Sequence, residues 1–282
     1  MRSRRYLFLY VIVLSVVMTG FGCRTNPATG QKQLVFISRD EEIALGKEAA
    51  PQFEEQFGGK IANEAVQQYV REIGLKLAAS SDREMPYEFA VLASDIPNAF
   101  ALPGGRVYIT AGLLRLMGNE RQLAGVLGHE IGHITALHSV QGMQRQMGAA
   151  ILIEVAKSAA GGKYGVVAGG AAKVTSALVN LRYSRDQEYQ ADELGVRYAR
   201  RAGYNPWGVV ELLYVLEGLS KSEPGFVGQM LRTHPVTSKR IERAEALVRE
   251  EHSEFSSEQR DPRVKEFVAI QGMLPAAAPP SQ

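Results

Sequence analysis

Three of the five histidines in this chain lie in one short segment, GHEIGHITALH, which runs from Gly128 to His138. His129 and His133 are separated by one helical turn, and Glu130 follows the first of them, giving the pattern HExxH. A helix advances roughly 100° per residue, so the two histidines lie about 40° apart on one face. Two such imidazoles can bind one Zn²⁺, and the glutamate can take a proton from water that the metal activates. We therefore predict His129 and His133 as zinc ligands and Glu130 as the general base.

A catalytic zinc site needs a third protein ligand and an open fourth position. The later segment YSRDQEYQADELGVRYARRAG predicts a long helix on which Glu188 and Asp192 share a face. Ala191 and Gly195 fall on that face too and leave room for another helix to approach closely. We predict Glu188 as the third ligand and Asp192 as the acceptor for the remote N–H of a ligand histidine. The competing interpretation is a pair of surface carboxylates in a charge-rich helix.

His138 follows His133 by five residues, whereas the long metzincin motif places its last histidine six residues on. Continued helical periodicity places His138 about 180° from His129. We therefore expect a structural histidine on the opposite face of the helix, and not a metal ligand.

The rest of the chain predicts one α+β domain, mostly helical with a small sheet. The capping box Ser38–Glu41 begins a helix that reaches about Phe57, and ANEAVQQYVREIGLKLAAS predicts a second helix. YEFAVLA alternates as a strand does, and NAFALPGGRVYIT predicts a hairpin. From Ala111 to about His252 the pattern is helical, and the last twenty residues indicate a frayed tail.

The first strand of that hairpin is a candidate for peptide binding. Its short apolar run beside a Pro-Gly-Gly turn suits an edge strand, whose unpaired backbone groups can accept a peptide as an extra strand. We predict Asn98, Ala99 and Phe100 as substrate-binding residues, and an ordinary hairpin is the alternative. The glycine-rich segment 159–173 interrupts the helices and predicts either a flap near the site or a plain linker.

The N-terminus has the features of a targeting segment. A basic leader, MRSRR, precedes an apolar run of thirteen residues and then TGFGC, which predicts a signal peptide over residues 1–22. An uncleaved anchor is the alternative. The stretch ending at Cys23 resembles a bacterial lipobox and predicts lipidation of that cysteine, against the alternative of a free thiol. Arg24 favours sorting to the outer membrane.

These features give a domain plan and exclude one class of partner. We expect a lipid-attachment cysteine and linker over residues 23–37, a metallopeptidase domain over 38–256 and a tail over 257–282.

Apolar residues make up 45% of the chain and charged residues 22%, as in a folded domain with a sizeable core. The net charge of +2 gives no reason to expect a nucleic-acid partner.

Several motifs in the same order resemble the HtpX and CAAX-prenyl-protease family of zinc metallopeptidases, in its soluble LoiP- and BepA-like branch. They are NPATG, NAFALPGG, GHEIGH, YSRDQEYQAD and THPVTSKRI. The resemblance implies a gluzincin metalloendopeptidase with one zinc ion per chain, held by His129, His133 and Glu188, and an edge strand above the metal. It also implies quality control of unfolded or misassembled polypeptides by a periplasm-facing lipoprotein of the bacterial envelope.

The resemblance adds His234, in RTHPVTS, as a further residue near the metal. It implies either that His234 stabilises the oxyanion or that it occupies the fourth position and silences the enzyme. A histidine that merely precedes a helix is the alternative. A competing function is a catalytically silent, zinc-containing chaperone or adaptor that binds unfolded clients. The oligomeric state stays open.

Overall fold

The computed structural model describes residues 23–148, 151–155, 170–222 and 228–277. The predicted signal peptide lies outside these ranges, as do the side chain of Cys23 and residues 159–169 of the glycine-rich segment. Within the described ranges, no helix combines the length and the apolar character that crossing a membrane requires.

Helices account for most of the described chain. In chain order they are α1 Arg39–Gln56, α2 Glu64–Ala78, α3 Ala111–Leu116, α4 Glu120–Thr135, α5 His138–Met147, α6 Gly170–Val179, α7 Arg185–Arg201, α8 Trp207–Ser222, α9 Gly228–Thr233, α10 Ser238–Glu251 and α11 Val264–Gln271. The predicted capping box begins α1: the Ser38 hydroxyl accepts from the Glu41 N–H at 3.2 Å, and the Glu41 carboxylate accepts from the Ser38 N–H at 2.7 Å.

The described strands form two small sheets. They are β1 Cys23–Thr25, β2 Lys32–Leu34, β3 Glu88–Leu92, β4 Ala99–Leu102 and β5 Arg106–Thr110. β1 and β2 form an antiparallel ribbon, whereas β5 pairs in parallel with β3 and antiparallel with β4 in the order β3-β5-β4. Gly104 and Gly105, with φ of +83° and +104°, make the hairpin turn between β4 and β5. β4 is therefore an edge strand, as predicted.

The HExxH helix α4 lies at the centre of the molecule, and all of its residues are buried. It packs against α7 through small residues. A Cβ atom on Gly128 would lie 3.1 Å from the carbonyl oxygen of Gly195, and one on Gly132 would lie 3.1 Å from that of Ala191. This close approach brings the two helices together at the level of the histidines. The many helices and the small three-stranded sheet confirm the predicted α+β fold.

Two terminal segments differ from the expected linker and frayed tail. In the ribbon, the Asn26 side-chain amide donates to the carbonyl of Thr135 at 2.8 Å, which ties residues before α1 to the end of α4. The prediction of a frayed tail is wrong where α11 forms. Phe267 on this helix is fully buried, and its ring lies 6.4 Å from that of Tyr69 on α2. The domain limits themselves stay a prediction.

Candidate metal centre

The HExxH helix presents its two histidines toward one point. His129 and His133 lie one turn apart on α4, and their Nε2 atoms are 3.1 Å from each other. Both rings are buried. Asn119 caps the start of the helix by accepting the Gln122 N–H at 3.0 Å.

Glu188 reaches the same point from α7. The helix begins at a capping box formed by Ser184 and Gln187, and Glu188 stands in its first turn, fully buried. The Glu188 Oε1 atom is 3.4 Å from the Nε2 of His133, and its Oε2 atom is 3.7 Å from the Nε2 of His129. Glu188 is therefore brought against both histidines, as the spacing of its helix predicted.

His234 completes a group of four donors. It directly follows α9, and its Nδ1 atom lies 3.3 Å from the Nε2 of His129 and 3.1 Å from the Oε1 of Glu188. Ligand atoms of His129, His133, Glu188 and His234 all lie within 4.8 Å of one another. His234 thus lies among the predicted ligands, and not merely near them.

The donor set fits a divalent metal ion. A tetrahedral ion with bonds of about 2.0–2.1 Å, the length found for zinc, sets its ligand atoms roughly 3.3–3.4 Å apart. The donor atoms of His129 and Glu188 lie 3.1 to 3.7 Å from each other and from those of the other two residues. A ligand imidazole must be neutral, and burial holds the pKa of His133 well below its usual range. The cluster therefore has the spacing and the donor chemistry that a bound metal requires, and His133 is held in the neutral form that binds it.

Glu130 lies beside the cluster without being part of it. Its carboxylate is buried, and neither oxygen has a hydrogen-bond partner within the described part of the chain. Burial raises the pKa of Glu130, although His234 and His129 nearby oppose the rise. Its Oε1 atom is 3.8 Å from the Nε2 of His234. A buried, unpartnered carboxylate with a raised pKa has the properties of a general base.

A charged pair lies behind His129. The Asp192 Oδ1 atom is 2.9 Å from the Nδ1 of His129, and the Arg240 guanidinium donates to both Asp192 oxygens at 2.7 and 2.8 Å. Arg240 also lies 2.5 Å from the Oε2 of Glu188. Burial alone would raise the pKa values of Asp192 and Glu188, but Arg240 and the neighbouring histidines together outweigh it and lower both.

Arg240 was not predicted from the sequence. It lies in THPVTSKRI, a motif in which only His234 was predicted to have a role at the site. Its partners Asp192 and Glu188 lie about fifty positions earlier on another helix, so no local spacing could pair them with it. The signal that could have found it is the need of two buried carboxylates for a counter-charge.

The predicted position of His138 is wrong. We expected it on the face opposite His129, but α4 ends at Thr135 and Leu137 adopts a left-handed conformation with φ of 62°. The chain therefore turns back, and the Nδ1 of His138 lies 3.0 Å from the Nδ1 of His133. Its Nε2 lies 3.1 Å from the side-chain oxygen of Gln190. His138 contacts a predicted ligand, although it does not join the four donors.

Tyr183 is a further neighbour that the sequence did not indicate. Its ring stacks on His133 with the centroids 3.8 Å apart and the planes 26° apart. The hydroxyl lies 3.0 Å from the Ser139 hydroxyl, which in turn contacts the carbonyl of Ala101 in β4 at 3.4 Å. Tyr183 thus links the metal cluster to the edge strand.

The predicted substrate-binding residues lie along a narrow apolar cavity beside His234. The cavity is about 30 Å³ and is bounded by β4, α6 and the end of α9. Asn98 and Phe100 line it, and the side-chain oxygen of Asn98 is buried without a hydrogen-bond partner within the described residues. Ala99 is fully buried in the same strand.

Comparison with known proteins places this chain in a family. The model of peptidase family M48 matches residues 64–248. A beta-barrel assembly-enhancing protease of Yersinia pestis is 30% identical over 230 residues, covering 76% of this chain and 45% of the relative. The mitochondrial metalloendopeptidase OMA1 of Arabidopsis thaliana is 36% identical over 177 residues, covering 62% and 34%.

A third relative is nearer in length. The metalloprotease LoiP of Escherichia coli K12 is 31% identical over 158 residues, covering 56% of this chain and 61% of the relative. The chain spans less than half of the Yersinia and Arabidopsis relatives it matches. The family match covers more than half of the chain, so the protein belongs to peptidase family M48, the metallopeptidase class that its sequence predicted.

Proposed function

We propose that this chain is a zinc metalloendopeptidase that cleaves unfolded or misassembled polypeptides of the bacterial cell envelope, with one zinc ion per chain. One observation carries the proposal. Donor atoms from α4, α7 and the residue after α9 converge within 4.8 Å of one another, beside a buried glutamate without a hydrogen-bond partner in the described chain. Zinc is the proposed metal because histidines with one carboxylate form the donor set of catalytic zinc sites.

Zinc, when bound, supplies the Lewis acidity that makes water nucleophilic near neutral pH. Glu130 takes the proton of the attacking water and then donates it to the leaving amine nitrogen. The raised pKa of Glu130, which burial causes, makes this carboxylate a stronger base than an ordinary glutamate. Asp192 holds the proton on the Nδ1 of His129, so that the Nε2 lone pair faces the site.

The substrate is proposed to add to β4 as an extra strand. Thr110 of β5 donates its N–H to the Asn98 carbonyl at 2.9 Å, so strand alternation turns the backbone groups of Ala99 and Ala101 away from β5. The side-chain oxygen of Asn98, which has no hydrogen-bond partner among the described residues, can accept a substrate N–H, and Phe100 offers an apolar wall. Recognition through backbone atoms favours unfolded chains over one particular sequence.

His234 is proposed to be the fourth ligand of a resting enzyme. Its Nδ1 atom lies as close to His129 and Glu188 as the predicted ligands lie to each other, which supports this role over oxyanion stabilisation. The adjoining cavity is narrow, with about 30 Å³ of space, which is room for a few water molecules. Both features support a conformation that must open before a substrate binds.

The envelope location is part of the same proposal. We propose that residues 1–22 direct export and that a lipid on Cys23 attaches the mature protein to the outer membrane, facing the periplasm. The relatives support a protease role at the envelope, since two of them are bacterial proteins named a beta-barrel assembly-enhancing protease and a metalloprotease.

The test is zinc content and casein cleavage of the full chain carrying Glu130→Gln, with Glu55→Gln as the control at an exposed position. We expect Glu130→Gln to keep its zinc and to lose at least about 100-fold in cleavage rate, because only the base is removed. Cleavage at the parental rate would contradict the assignment of Glu130. A parental protein that binds zinc but cleaves nothing would favour the silent chaperone.

The same assay separates the two roles of His234. We expect His234→Ala to increase casein cleavage, because it frees the fourth position. A decrease would indicate that His234 stabilises the oxyanion instead.

A further inference from the structure

The turn after α4 puts His138 in a place that helical periodicity does not give it. Leu137 is the one non-glycine residue with a positive φ in the described part of the chain. A left-handed conformation is unfavourable for a residue with a side chain, so packing around the turn must maintain it. The result of the turn is a buried ring, with its centroid 5.0 Å from that of His133 and the planes 69° apart.

The direction of the hydrogen bonds follows from Gln190. Its side-chain oxygen can only accept, so the Nε2 of His138, 3.1 Å away, carries a hydrogen. A neutral His138 then has a lone pair on Nδ1. The Nδ1 of His133, 3.0 Å from that atom, must be the donor. His133 is therefore left with its Nε2 lone pair directed at His129 and Glu188.

The reverse assignment is incompatible with metal binding. If the Gln190 amide nitrogen faced His138, the ring would accept at Nε2 and donate from Nδ1. His133 would then accept at Nδ1 and carry its hydrogen on Nε2. A protonated Nε2 cannot bind a metal, so the amide orientation of Gln190 and the metal site require each other.

We propose that His138, held by Gln190, is a positioning residue that fixes His133 in the tautomer whose Nε2 binds the metal. The inference rests on the proposed zinc site and adds a residue to it. His129 is oriented by the carboxylate of Asp192, whereas His133 is oriented by a neutral imidazole and a carboxamide. Any uncharged acceptor in the place of the His138 Nδ1 atom should serve.

The test compares two substitutions at His138 in the full chain. His138→Phe keeps a ring but removes the acceptor, and His138→Asn offers a side-chain oxygen close to the former Nδ1 position. We expect His138→Phe to weaken zinc binding by 10- to 100-fold, the usual effect of losing such a partner, and His138→Asn to stay within about threefold of the parent. His252→Phe, at a half-buried position remote in sequence, is the control.

Zinc affinity is measured by competition with a chelator, and the His133 tautomer by the ¹⁵N chemical shifts of the zinc-loaded protein. Unchanged affinity in His138→Phe would overturn the inference, as would equal weakening by both substitutions, which indicates packing alone. If His138→Phe does not fold, Gln190→Leu decides, with a several-fold loss expected and no change contradicting. A parental chain that binds no zinc would instead refute the proposed function.

Discussion

The two histidines of the HExxH motif are supported from behind in different ways. Behind His129, Asp192 and Arg240 form a buried ion pair that also reaches Glu188. Behind His133, the neutral side chains of His138 and Gln190 form a chain of hydrogen bonds. A buried charge needs its counter-charge, whereas a neutral donor needs only an acceptor. Removing one member of the charged pair behind His129 should therefore be strongly destabilising. The neutral pair behind His133 should tolerate replacement by another uncharged acceptor.

The largest effect is expected on the charged side. Arg240→Met leaves the carboxylates of Asp192 and Glu188 buried without their cation, which should lower the free energy of unfolding by about 3–5 kcal/mol. Arg243→Met, on the exposed face of the same helix, is the matched control. Urea unfolding of the metal-free full chain measures both. A loss no greater than that of the control would show that the charges on this side are not coupled.

A smaller expected effect is a difference in pH dependence, because His138 behind His133 and Asp192 behind His129 affect stability over different pH ranges. Burial lowers the pKa of His138 to about 4 from 6.5. As the pH falls between these two values, His138 is protonated in the unfolded chain but stays neutral in the folded chain. Over this pH range His138 alone lowers the free energy of unfolding by up to about 1.4 kcal/mol per pH unit. The lowered pKa of Asp192 acts elsewhere: its contribution is present above about pH 3.9 and is lost as the pH falls through its folded value.

The measurement is urea unfolding of the metal-free full chain at pH 7.5, 6 and 5. Burial also lowers the pKa of His133, so this residue too lowers the free energy of unfolding as the pH falls. His234 contributes the opposite sign, because Glu188 and Glu130 raise its pKa against burial, so its contribution is lost as the pH rises. His138→Asn should flatten the decline between pH 6 and 5. An unchanged slope would contradict the account of the neutral side.

Local periodicity predicted the parts of the site that lie within single helices. Four-residue spacing was enough to put His129 with His133, and the small residues of α7 indicated the face that approaches α4. The same rule misplaced His138, because it was carried through Leu137, where the backbone becomes left-handed. A single left-handed residue between two helices does not change the spacing of apolar residues, so periodicity cannot predict it.

Contacts between distant segments were the other part that the sequence did not reveal. Arg240 contacts its carboxylates only after α7 and α10 have packed together. Phe267 fills a space against α2, so the expected frayed tail instead contains a helix. Both depend on which surfaces meet in the folded chain, and composition near the residue does not encode that.

The central claim is that side chains from two helices hold one zinc ion, and the zinc content of Glu188→Gln tests it most directly. Glu193→Gln, at an exposed position five residues further along α7, is the control. We predict one zinc per chain in the parent and in the control, measured by elemental analysis after dialysis, and less than a tenth of that in Glu188→Gln. A full equivalent of zinc in Glu188→Gln would contradict the account.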